Sequence, residues 1–371
     1  MTRRLRQLGS GILWLGLFAW TACGGCEGED LRRTAAVDGA ADHVDGADNV
    51  NNTNNANNTQ PVELGVVELP LTGAWAAALR EYSALAWLGD TLILVPQYPS
   101  KIGNQLVALE KSQILAYLAG APADVLVPVG VPLDDGGIPA QVSWFEGFEG
   151  LAFSGDTAYL TIETSGAAGM RCYVVRGEVR RSPALSIVLD PSSLTGIPLT
   201  VQLDNMCHEA LLALPDRVVT FFEANGANVN PDPVVQTFDP GLVPLTALPM
   251  ARLEYRVTDV TPVDTAGRFW GINYFYPGDD DLLDPAPDAL AARYGEGPTH
   301  AAASGVERLV EFMWSPAGVT LADRAPLQLR LMEGDSRNWE GIARLDDRGF
   351  LLVTDKFPTT ILAFAPFPAA P

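Results

Sequence analysis

The sequence predicts an all-β fold: a five-bladed β-propeller of four-stranded blades, closed by an N-terminal strand, over residues 61–371. Two observations lead there. From Pro61 onward, short apolar runs alternate with Gly, Pro, Asp and Asn turns, and no amphipathic helix exceeds about three turns, the best candidate being Asp288–Tyr294. One hairpin pattern also recurs five times: "YSALAWLGDTLILVPQ", "FEGLAFSGDTAYLTIE", "HEALLALPDRVVTFFE", "RVTDVTPVDTAGRFWGIN" and "WEGIARLDDRGFLLVTD".

Each copy holds a Ser, Thr or Glu, then small and apolar residues, an Asp-containing turn, and a second apolar run ending in a polar residue. The pairs are Ser83 and Gln97, Glu149 and Glu163, Glu209 and Glu223, Thr258 and Asn273, Glu340 and Asp355, separated by 14, 14, 14, 15 and 15 residues. The first members lie 66, 60, 49 and 82 residues apart, so each unit has room for two strands beyond its hairpin. In the second unit these are expected at Arg171–Val175 and Ser186–Leu189. Four strands per unit, repeated radially, is propeller architecture. The last unit reaches only "TTILAFAPF", and Val62–Leu71 is expected to supply its fourth strand, which removes an exposed sheet edge.

Ahead of this domain, residues 1–22 read as a signal peptide: Arg3, Arg4 and Arg6, then an apolar run of signal length. "AWTAC" resembles a bacterial lipobox, with Trp20 in place of the usual Leu, and marks Cys23 for lipidation. Residues 23–60, dominated by Asp, Gly, Ala and Asn, read as a disordered tether. The expected location is therefore exported, anchored by lipid to a bacterial outer membrane or cell surface. Formal charge is −21, and loss of residues 1–22, with three arginines and no acid, takes it to −24. That charge repels nucleic acid and attracts cations. Cys172 and Cys207 form a candidate disulfide, with Cys26 left unmatched. Only three histidines are present, which excludes a multi-histidine zinc site.

In a propeller the first strand of each blade lines the axis, so Ser83, Glu149, Glu209, Thr258 and Glu340 are expected to converge at one mouth of the channel. Three carboxylates in a narrow ring repel one another unless a cation neutralises them. An oxygen-only ligand set suits Ca2+ better than zinc or a transition metal. A single glutamate at a strand start can instead bind backbone amides of the next blade; the matched set of five favours an ion. Gln97, Glu163, Glu223, Asn273 and Asp355 add a second ring. The acid–base candidates are His208, Glu163, Glu223 and Asp355, and a histidine packed under the ring is the alternative for His208. Asp279–Asp281 read as a solvated loop.

At these residues the chain resembles the soluble calcium-activated nucleotidase (apyrase) family, and "FEGLA" and "WEGIA" are similar to segments of phytase-like or esterase-like propellers. The resemblance covers five segments of about 15 residues. It implies a five-bladed propeller with Ca2+ at the centre, held by the Ser, Glu and Thr side chains named above. The chain departs from that pattern after the third hairpin, where Glu223-Ala224-Asn225-Gly226 replaces phosphate-holding arginines; Arg171, Arg176, Arg337 and Lys356 are the nearest bases. Two functions are carried forward: a Ca2+-dependent hydrolase of phosphoanhydrides or phosphoesters, and a non-enzymatic surface binding module with structural Ca2+. For the second, Tyr98, Trp144, Tyr274, Tyr276 and Trp339 are candidate face residues.

Overall fold

Runs such as Leu92–Val95 and Phe350–Val353 are rich in branched and aromatic residues and bounded by turn residues, the composition of a pleated, buried strand. The computed structural model describes residues 61–75, 80–167, 169–332 and 336–368, all within one compact unit spanning Asn57–Pro371. Residues 1–60, with the expected signal peptide, tether and Cys23, lie outside the described residues. After strand β1 (Val67–Glu68) come β2 (Tyr82–Leu88), β3 (Thr91–Pro96), β4 (Gln105–Glu110) and β5 (Val129–Asp134). The second unit holds β6 (Phe145–Ser154), β7 (Thr157–Gly166), β8 (Gly169–Arg180), β9 (Ser186–Leu189) and a short β10 (Thr195–Ile197). The third holds β11 (His208–Ala213), β12 (Val218–Phe222), β13 (Val234–Phe238) and β14 (Leu248–Pro249). Then follow β15 (Arg256–Val260), β16 (Arg268–Phe275), β17 (Val306–Ser315), β18 (Gly318–Leu321) and β19 (Leu327–Gln328), and finally β20 (Trp339–Leu345), β21 (Gly349–Thr354) and β22 (Leu362–Pro366).

The fold is an all-β propeller. All five sequence repeats are antiparallel hairpins: β2–β3, β6–β7, β11–β12, β15–β16 and β20–β21. Their first strands pack side by side in order, and β20 returns against β2, which closes the ring. The last sheet runs β1-β22-β21-β20, with Val67 opposite Phe364 and Glu68 opposite Ala363, so the N-terminal strand closes it as expected. One arrangement differs from separate four-stranded blades. Strand β5 pairs in parallel with β9, Leu133 opposite Ile187, and the first two units share one sheet. Each strand would otherwise present a free outer edge, and pairing them satisfies both.

The core lies between adjacent units. Ala84, Ile93 and Leu106 pack with Leu151 and Leu160, while Leu85 and Leu94 pack with Leu351 and Val353. Each such buried side chain contributes about 1.5–3 kcal/mol relative to exposure. Two inner-strand glycines permit this closeness. A Cβ on Gly150 would lie 2.1 Å from the Glu209 carbonyl oxygen, and one on Gly341 would lie 2.8 Å from the Leu85 amide nitrogen. Cys172 in β8 and Cys207 just before β11 form a disulfide with Cα atoms 5.8 Å apart, tying the second unit to the third.

Candidate functional site

A charged side chain at the start of an apolar strand needs a local device to aim it away from the core. Every inner hairpin has one. The pairing register slips between Tyr82 and Ala84, Phe148 and Leu151, His208 and Ala210, Val257 and Val260, and Trp339 and Gly341. The residues stepped over are Ser83, Glu149 with Gly150, Glu209, Thr258 with Asp259, and Glu340. A β-bulge sets two residues against one and redirects a side chain, and bulges gather beside functional sites. All five positions picked out by the repeat are thus bulge residues.

Four of the five line a cavity of about 440 Å3 at one end of the axis. Ser83, Glu149, Glu209 and Glu340 of the first ring line it, with Gln97, Glu163 and Asp355 of the second. Thr258 is fully buried and its hydroxyl donates to the Trp339 carbonyl oxygen at 2.6 Å, so it joins two blades and is not among the lining residues. Asn273 is also structural: its amide donates to the carbonyls of Glu254 and Arg256, and its oxygen accepts from Arg308 Nε. His208 packs beneath the ring against Phe222, and burial pushes its imidazole down to about 3, so it stays neutral and away from the cavity.

Repeat spacing did not reveal the central residue, Arg256. Its Nε donates to Glu223 Oε2 at 2.5 Å, and its Nη2 lies 3.3 Å from Glu209 Oε1 and 3.4 Å from Glu340 Oε1. Glu223, fully buried, also accepts from the Cys207 amide at 2.9 Å. A signal existed: Arg256 opens β15 just as a charge opens the strand at Glu340, the same oddity with the opposite sign. The guanidinium stands where the sequence called for a cation, among carboxylates of two inner hairpins, the third and the fifth.

One arginine does not balance the site. Glu149, Glu163, Glu209, Glu340, Asp279 and Asp355 line the cavity against Arg256 and Lys356. Lys356 is already paired with Glu81 at 2.5 Å, and Glu81 also holds Lys101 at 2.8 Å. Burial, then repulsion from Glu163, holds Glu149 well above the usual carboxylate range; burial, then Glu223, does the same for Glu209. Burial and Glu223 push Glu163 up to about 8. Burial lifts Glu340 to about 7 against the pull of Arg256. The Glu149 carboxylate accepts from Gln97 Nε2 at 3.2 Å. Glu163 is 5% exposed, yet among the described residues no donor reaches its carboxylate. One oxygen each from Glu163, Glu209 and Glu223 lie within 4.8 Å of one another.

No family model and no curated protein matches the chain. Solved structures with a similar fold include a putative glycoside hydrolase from Parabacteroides distasonis, at 12% identity and a TM-score of 0.44, covering 84% of this chain and 93% of that one. A GH43_1 enzyme from Xanthomonas citri, solved with xylotriose, has 13% identity and a TM-score of 0.46, covering 82% and 91%. An α-L-arabinanase from Cellvibrio cellulosa, solved with arabinohexaose, has 10% identity and a TM-score of 0.43, covering 78% and 92%. These are glycoside hydrolases, not nucleotidases or phytases, and the family resemblance drawn from the hairpin strings is corrected accordingly. The strings are short inner hairpins that radial repetition produces in propellers generally. The likeness to the hydrolases concerns fold and says nothing of this chain's reaction.

Proposed function

We propose that the axial cavity binds Ca2+ and that the protein is an exported propeller module capturing a ligand at that ion. One observation carries this reading: Glu163, a nearly buried carboxylate without a donor, faces a cavity in which acids outnumber bases. A buried ionised carboxylate is costly unless paired. The donor chemistry fits a hard cation, since Ser83, Gln97, Glu149 and Glu163 offer oxygen ligands and, among the described residues, no imidazole or thiolate lines the cavity. Without an ion, burial and mutual repulsion favour the protonated carboxyls, and Ca2+ would take the place of those protons. Both cavity bases are already ion-paired, which disfavours a phosphate-bearing ligand, and the strongly acidic chain disfavours nucleic acid. Export is supported by the Cys172–Cys207 disulfide, which belongs to an oxidising compartment, and anchoring through a lipid on Cys23 completes the proposal.

Calorimetric titration of the metal-stripped chain should give Ca2+ binding and a raised melting temperature, both lost in Glu163→Gln. No heat of binding together with a chelator-insensitive melt would sink the reading. A second reading, hydrolysis at the same mouth, is favoured by space: about 440 Å3 leaves room for a substrate beside one ion, with the half-buried Asp355 at its edge. Nitrophenyl esters, glycosides and phosphates provide the test. Ca2+-dependent turnover abolished in Asp355→Asn supports an enzyme, and silence across the panel leaves the binding module.

A further inference from the structure

We infer that Glu209, Glu223 and Glu340 form a second cation site, whose resident occupant is the chain's own Arg256 guanidinium. This rests on the cation reading of the cavity and gives the guanidinium one wall of it. On one side the guanidinium bridges three carboxylates contributed by separate strands: β11, the residue after β12, and β20. On the other, no basic side chain among the described residues is bonded to Ser83, Gln97, Glu149 or Glu163. Arg256 is 6% exposed and its neighbours hold it in place: Asn273 binds its carbonyl, and the Tyr274 ring lies 5.9 Å from the guanidinium carbon. A planar, permanently charged fork suits several carboxylates at once, and no proton loss can empty the site at ordinary pH.

The geometry implies that Arg256 sets the metal stoichiometry. A divalent ion placed among Glu209, Glu223 and Glu340 would face the guanidinium at close range, so the wild-type cavity takes one ion, toward Glu149, with Glu163, whose oxygen lies within 4.8 Å of those of Glu209 and Glu223, shared between the two places. Deleting the guanidinium leaves a cradle of matching size and charge, open to a second Ca2+ or to a free guanidinium-type cation.

The test is Arg256→Ala in the full chain, with Ca2+ and methylguanidinium as probes. Calorimetry should show one Ca2+ per chain in wild type and two in the variant. Methylguanidinium should raise the melting temperature of the variant and leave wild type unmoved. One Ca2+ in both proteins with no response to methylguanidinium would overturn the inference, and so would two Ca2+ in wild type, a result that needs no folded variant. No Ca2+ in wild type but one in the variant would defeat the Ca2+ reading of the native cavity while upholding Arg256 as occupant. Arg256→Lys keeps a charge in the cradle and should retain wild-type stoichiometry.

Discussion

At one end of the propeller axis the inner strands present Ser83, Glu149, Glu209 and Glu340 to a cavity of about 440 Å3; at the other, residues further along the same strands, among them Leu85, Leu151, Leu212, Val260 and Ile342, close around about 50 Å3. The bulges separate the two chemistries. In four of the five hairpins the bulge residue is a polar one that lines the mouth, and beyond the bulge apolar side chains point inward. Asp259 sits at this boundary, fully committed to backbone: its carboxylate accepts from the Val260 and Ile342 amides, each at 2.8 Å. Burial heads the causes raising Glu149, Glu163, Glu209 and Glu340 at the acidic end.

The contrast can be broken from either end. The largest effect belongs to the acidic end: without Ca2+, Arg256→Met should lose about 3–5 kcal/mol, because removing one partner of a buried ion pair strands the others. Urea unfolding with and without Ca2+ measures it, and a loss that Ca2+ leaves untouched would contradict the compensating role of charge there. At the apolar end Leu212→Ala should cost about 3 kcal/mol through lost burial and a cavity, with Ca2+ binding unchanged. If Ca2+ affinity fell with it, the two ends would not be independent.

Next in size comes the covalent tie of the second unit to the third. Replacing Cys172 and Cys207 with serine should lower stability by about 2 kcal/mol, since a 35-residue separation is no longer constrained in the unfolded chain. The smallest effect is expected far from the axis, at Glu63. Burial raises its carboxyl, but hydrogen bonds from His300 and Thr299 outweigh this and hold it below the ordinary 4.5. A depressed folded value stabilises above the unfolded one and is lost as pH falls through the folded one. Melting temperatures should therefore drop more steeply in wild type than in Glu63→Gln below pH 4.5. Parallel curves would remove Glu63 from the acid limb.

The hairpins were readable because a short apolar run on each side of an Asp turn is a local signal, and it recurred at near-constant length. The same locality exposed the closing strand and the β8 and β9 positions. What sequence spacing missed was decided by convergence in space. Arg256 bonds to residues 33, 47 and 84 positions away. Thr258 matched the repeat perfectly, yet its hydroxyl met a carbonyl of the next blade before it met the cavity. The β5–β9 pairing depends on how two outer strands happen to abut, and nothing in either strand's composition announces a parallel partner. Family likeness failed for a related reason: strings short enough to be fixed by hairpin geometry carry little else.

The N-terminal closure has a mechanical side. Strand β1 contributes only two residues to its sheet, a weak seam if loaded alone. Ahead of it, Glu63 is hydrogen-bonded to Thr299 and His300, and Leu64 exchanges backbone hydrogen bonds with Gln328 and Arg330. Tension entering the chain before residue 61 meets these clamps on the fourth unit before it reaches the seam in the fifth. They act as the strain relief on a cable, so a pull on Pro61 is absorbed outside the ring that holds the carboxylates in place.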